Sequence, residues 1–161
     1  MESQDNEAAN AGPQHKLRQR THALIARSSF KSVRAAFDRF EGVPKVERLR
    51  PTEVGLVMVQ GRVGGTGGRF NLGELPVARA AVRLPDGTLG VGYVAGRDCD
   101  HAELAALADA MIQHESWKAD LESVVLTPLE AELAAARAGK GRKAAATKVD
   151  FFTMVRTRGE K

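Results

Sequence analysis

Glycine and arginine are interleaved most densely at Arg62-Val63-Gly64-Gly65-Thr66-Gly67-Gly68-Arg69. Consecutive glycines let backbone N–H groups converge on an anion, and the flanking guanidinium groups supply charge. This is not a Walker loop, because Arg69, Phe70 and Asn71 stand where Gly-Lys-Ser/Thr would open a helix. A wide β-turn with close backbone packing accounts for the same glycines. A second run, Gly90-Val91-Gly92-Tyr93-Val94-Ala95, has the spacing of the dinucleotide fingerprint. It falls inside a strand pattern rather than between a strand and a helix, so it reads as a bulge or a close backbone approach. His101-Ala102-Glu103 has the H-x-E spacing of zinc deaminases without their Pro-Cys-x-x-Cys. His114 lies about 220° around an ideal helix from His101, so the two do not share a face for a metal. Cys99 reads as a small packed thiol. No metal site and no catalytic triad emerge.

These residues need a scaffold, and the hydrophobic pattern supplies one. Gln14 to Ala26 reads as a helix, and Phe30, Val33, Phe37 and Phe40 then recur on one helical face. Gly42 and Pro44 stop it, and Lys45 to Arg50 gives a short strand before Pro51. Val54 to Val59 is apolar without alternation, the pattern of a central strand covered on both sides. From Val77 to Leu84 the chain alternates, with Ala78, Ala80, Val82 and Leu84 on one face and Arg79, Ala81 and Arg83 on the other. Pro85-Asp86-Gly87 then turns the chain into a second strand, Leu89 to Gly96.

Asp100 and Glu103 have the spacing of a capping box, opening a helix with the stripe Leu104, Leu107, Ala108, Met111 and Ile112. A further helix runs from about Lys118 to Ala138, interrupted or restarted near Thr127-Pro128. Val149-Asp150-Phe151-Phe152-Thr153-Met154-Val155-Arg156 has strand propensity, with apolar bulk at Phe151, Phe152 and Met154 on both faces. One face fits the chain's own sheet; the other fits either the interior or a neighbouring subunit. The pattern predicts one α+β domain, a mainly antiparallel sheet with flanking helices.

Composition narrows the class. The 161 residues are 43% hydrophobic and 27% charged, which excludes a disordered chain, a collagen and a disulfide scaffold. The net charge of +4 is uneven: residues 1–13 hold three acids and no base, and Arg137 to Lys148 hold five bases and no acid. This predicts a disordered acidic leader over 1–13, a domain over 14–161 and a basic mobile loop over 137–148. With aromatics at 5% and no aromatics interleaved with bases, the stacking platform of a nucleic-acid binder is missing. The alternative of a free-standing basic nucleic-acid-binding protein rests on the 137–148 cluster alone. A single cysteine, no apolar run of ~20 residues and no targeting pattern predict a cytoplasmic protein, not a membrane one.

Six blocks in order resemble the PhnG family of the carbon–phosphorus lyase system. They are Glu53 to Val57; Arg62 to Gly67 with Phe70, Gly73 and Glu74; Arg79 to Leu84; Asp86 to Gly90; Gly96-Arg97-Asp98 with His101-Ala102-Glu103; and Val149 to Arg156. The resemblance spans roughly Lys16 to Arg156. It implies an accessory subunit of a ribose 1-methylphosphonate 5-triphosphate synthase in phosphonate catabolism. Its partners would be chiefly PhnI, then PhnH and PhnJ, with PhnL and PhnK as associated nucleotide-binding proteins. The complex would use a purine nucleoside triphosphate, with no cofactor held by this chain and no catalytic residue to carry over. A phosphate-rich substrate suits guanidinium forks and backbone N–H groups. Arg62, Gly64, Gly65, Thr66, Gly67, Arg69, Arg79, Arg83, Arg97, His101 and Glu103 are therefore expected to face PhnI or phosphate. Proton transfer by Asp98, His101 and Glu103 is the alternative role for that end.

Overall fold

The computed structural model describes residues 12–147. Helices α1 (Pro13–Arg27) and α2 (Phe30–Phe37) open the domain. Pro13 sits at the first helical positions, where its missing N–H costs nothing. Ser29 caps α2 by accepting from Ser32 N at 3.1 Å. Strands β1 (Glu47–Arg48), β2 (Glu53–Arg62), β3 (Arg69–Arg83) and β4 (Leu89–Ala95) follow. Helices α3 (Cys99–Met111), α4 (Glu115–Asp120) and α5 (Thr127–Ala146) complete the order.

The sheet is antiparallel throughout and organised on the 15-residue β3. β4 pairs with Val77 to Arg83, while β1 and β2 share the opposite edge of β3. Ala78, Ala80, Val82 and Leu84 are buried, as the alternation predicts, and so is Val94 of β4. The turn between β3 and β4 is built as its residue types require: Gly87 has φ 92°, and the Asp86 carboxylate accepts from Thr88 N and Oγ1.

Helix α3 lies between this sheet and α1 and α2. Its backbone comes so close to β4 that a Cβ at Gly90 would fall on the Ala106 carbonyl, and one at Gly92 on the Ala102 carbonyl. Ala102, Ala106 and Ala110 lie along one face of the helix at intervals of four and are fully buried there. On the next stripe stands Asp109, with no exposed surface. Arg18 from α1 donates to it through Nε at 2.8 Å and Nη2 at 2.7 Å, His22 Nε2 lies 3.1 Å away, and Val91 N donates at 3.0 Å. Burial pushes the Asp109 carboxyl up, but hydrogen bonds from Arg18, His22 and Val91, with the His22 charge, outweigh it and lower it to about 2.

Three expectations need correction. β2 is not a covered central strand: Val54, Leu56 and Met58 are 43%, 62% and 52% exposed, because β2 is the last strand on its side of β3 and from Leu56 onward pairs with the part of β3 that projects beyond β4. Asp98, not Asp100, caps α3 by accepting from His101 N at 3.0 Å, which frees Glu103 for other partners. The basic segment is helical as far as Ala146 rather than a loop from residue 137, because Ala, Lys and Arg favour helix strongly enough to carry Gly139 and Gly141. The restart expected near Thr127-Pro128 is present: α4 passes through a π-helical stretch, Leu121–Leu126, into α5, which begins at Thr127 with Pro128 in its first turn. There Thr127 Oγ1 donates to Glu122 O at 2.8 Å.

Replacing Gly92 by alanine is expected to remove at least ~3 kcal/mol of stability, since backbone must move; urea unfolding checks it. Asp109→Asn is expected to cost about 3 kcal/mol at pH 7. The wild-type Asp109 contribution is fully present above about pH 4 and is lost as pH falls through about 2, because the folded carboxyl titrates below the unfolded one. Unfolding midpoints measured between pH 7 and pH 2 should show a component that Asp109→Asn lacks.

Candidate functional site

The structure distributes the expected site residues over three places rather than one. Arg62, Gly64, Gly65, Thr66, Gly67 and Arg69 form the tip of the β2–β3 ribbon. The tip is folded on itself: Gly67 N donates to Val63 O at 2.8 Å, and Arg62 Nη1 donates to Gly67 O at 3.2 Å. Gly64 and Gly65 have φ 57° and 83°, and a Cβ at Gly67 would collide with the Val63 carbonyl. The glycines thus serve a tight turn, with Arg62 fastening it.

Arg79 and Arg83 lie about 33 Å and more from Arg69 along β3, at ~3.3 Å per residue. They stand on the open face of the sheet, each held by a carboxylate: Arg79 Nε is 3.0 Å from Glu53, and Arg83 Nη1 is 3.7 Å from Glu47. Between and beside them are Tyr93, Val91 and Leu89, 50%, 50% and 49% exposed.

The third group sits where β4 leads into α3. Arg97 is exposed. His101 is not on a surface at all: it is 5% exposed, its Nε2 lies 3.0 Å from Ile25 O, and its ring packs against Phe30. It ties α3 to the last turn of α1, sharing the Ile25 carbonyl with Ser28 N, which donates to it at 3.2 Å. Glu103 accepts from Thr52 Oγ1 at 2.7 Å and from Arg48 Nη2 at 2.6 Å, anchoring the link between β1 and β2. Phe151, Phe152 and Met154 lie outside the described residues. Among the described residues no group of three His, Cys, Asp or Glu side chains is arranged to hold a metal.

What the sequence did not disclose is the ribbon. Beyond the end of β4, β2 and the first part of β3 run as a two-stranded arm. Leu56, Met58 and Leu72 are exposed along it, Leu72 by 67%, at a register shift opposite Val59 and Gln60. Leu75 and Phe70 are exposed as well, the latter lying over Gly61. Ribbons of two strands are marginal in water without a cover. Leu56 and Met58 stand on one face of the ribbon and Leu75 on the other, and exposed apolar surface on this scale is the kind that marks interaction sites.

The sequence model of the family described as phosphonate metabolism protein PhnG matches residues 16–157. The chain belongs to the PhnG family. A PhnG from Rhizobium meliloti (strain 1021) is 44% identical over 133 residues, covering 83% of this chain and 85% of the relative. That relative is the alpha-D-ribose 1-methylphosphonate 5-triphosphate synthase subunit PhnG. In the PhnG fold seen here, Glu103 acts as a clamp on the ribbon's root. Glu103→Gln is expected to cost about 1 kcal/mol, and to speed amide exchange at residues 50–54 with little change in β4.

Proposed function

We propose that this chain is an accessory subunit of an alpha-D-ribose 1-methylphosphonate 5-triphosphate synthase, and that its task is assembly rather than bond making. The similarity to the Rhizobium meliloti subunit supports the activity of the whole complex. The observation that carries the division of labour is the ribbon, whose exposed Leu56, Met58, Leu72 and Leu75 need a partner's surface. Arg79, Arg83, Glu103 and His101 already have internal partners, so their first duty is to hold the arm and the body in place.

PhnI is the main partner in this reading, with PhnH and PhnJ in the same assembly and PhnL and PhnK as associated nucleotide-binding proteins. The purine nucleoside triphosphate belongs to the complex, which works in the cytoplasm. Arg62, Arg69 and Arg97, for which no carboxylate partner is present among the described residues, are the guanidinium groups left to meet a partner's acids or a bound phosphate.

Co-expression with the PhnH, PhnI and PhnJ proteins of the same organism, followed by native mass measurement, tests this. A single large stoichiometric assembly is expected. Leu72→Asp should cut co-elution at least tenfold while leaving the unfolding midpoint of the isolated chain within ~0.5 kcal/mol, since the side chain is solvent-exposed there. A stable lone monomer that ignores all three proteins overturns the proposal.

A further inference from the structure

We infer that the free edge of β2 receives an extended strand from a different subunit, so that the sheet continues across the interface through backbone hydrogen bonds. The inference rests on the reading of this chain as a subunit.

The backbone directions follow from the bonds present. Leu49 N donates to Ala81 O at 3.0 Å, on the β1 and β2 side of β3. Val91, opposite Ala81, sends its N–H away from β3 to Asp109. Pro76 O, one position out of phase, accepts from Gly96 N on the β4 side. Alternate β3 residues therefore face opposite edges, and Leu75, Val77 and Arg79 face β2. Their partners Val57, Gly55 and Glu53 make the ladder to β3. Val54, Leu56 and Met58 consequently aim N–H and C=O outward, at the free edge.

The two edges of the sheet are treated differently. On β4, Val91 N is taken by Asp109 and Leu89 O by Gln113 Nε2 at 2.8 Å, so α3 closes that edge. On β2, Val54-Gly55-Leu56-Val57-Met58-Val59-Gln60-Gly61 contains no proline and no charge, and among the described residues no element covers its outer edge. Those are the devices by which an edge is protected. An edge left open beside a closed one is the template for strand addition.

The occupant is not a second copy. Antiparallel pairing of two β2 strands about a two-fold axis keeps equivalent faces on the same side of the joined sheet. Leu56, Met58 and Leu72 of both copies would then form one wider apolar face, still uncovered. A different polypeptide that supplies both a strand and a cover removes the exposure. Arg62 and Arg69 at the tip, opposite each other in register, set the polarity of its sequence: apolar along the strand and acidic at the end beside the tip.

Amide hydrogen exchange on the full chain, alone and in the co-purified synthase, tests this. In the free chain the amides of Val54, Leu56 and Met58 should exchange fast while those of Gly55 and Val57 are protected. In the complex the first three should slow at least tenfold. Leu56→Pro removes one outward N–H and should lower co-elution at least tenfold beyond any loss in Leu56→Ala, which removes the same apolar contact and keeps the N–H. A complex in which the three amides exchange as fast as in the free chain overturns the inference and leaves the subunit reading intact. Protection that rises with concentration of the chain alone assigns the edge to a second copy and also overturns it. Failure of the wild-type chain to enter any complex removes the subunit reading itself.

Discussion

The near-contact of helix α3 with strand β4 governs the rest of the molecule. Gly90 and Gly92 let the helix backbone descend onto the strand, and Ala102 and Ala106 keep the helix side equally thin. At that separation Asp109 can reach past the sheet to the outward N–H of Val91. The carboxylate is then fully enclosed, and an enclosed carboxylate needs donors on every side. α1 brings two, Arg18 and His22, so one buried charge fixes the mutual placement of a helix, the central helix and the sheet edge. Such a group contributes little net stability over a well-packed apolar one, but breaking its partnership is costly, which makes it a device for register.

The same contact divides the chain into a part that satisfies itself and a part that does not. Wherever α3 lies over the sheet, the inward residues are buried: Ala78, Ala80, Val82 and Val94. α3 ends its cover at β4, and β3 continues past β4 with only β2 for company. From there outward, apolar side chains of both strands meet solvent. The arm is not a separate element attached by a loop, because β3 runs unbroken from the buried body to the exposed tip.

This division explains what the sequence could and could not convey. The alternation from Val77 to Leu84 reports burial on one face and was readable as such, and so was the Pro85-Asp86-Gly87 turn. The continuous apolar run of β2 also reports burial, but a sequence does not say whether the cover is intramolecular. Reading it as a strand central to its own sheet placed Val54, Leu56 and Met58 under a cover that the described residues do not supply. The cap of α3 was displaced because Asp98 and Asp100 both suit a helix start; only the backbone decides which carboxylate meets His101 N. His101 itself looked available for chemistry because its partner, Ile25 O, is 76 residues away. Arg18 and Asp109 are 91 residues apart, and Asp109 stood in the sequence only as an interruption of an alanine-rich helix.

Mechanically, the arm is held ready rather than left to find its shape on contact. Glu103 grips Thr52 and Arg48 where β2 begins, Glu53 bridges to Arg79 across the ladder, and Arg62 closes the glycine turn at the far end. Each of these contacts lowers the conformational freedom that association would otherwise have to remove. Arg62, Arg79 and Glu103, three of the residues expected to face PhnI or phosphate, are thus also braces of an apolar surface. In the proposed assembly, a partner binding so braced a ribbon would keep nearly the whole of its apolar burial, because little of it is spent on ordering the arm.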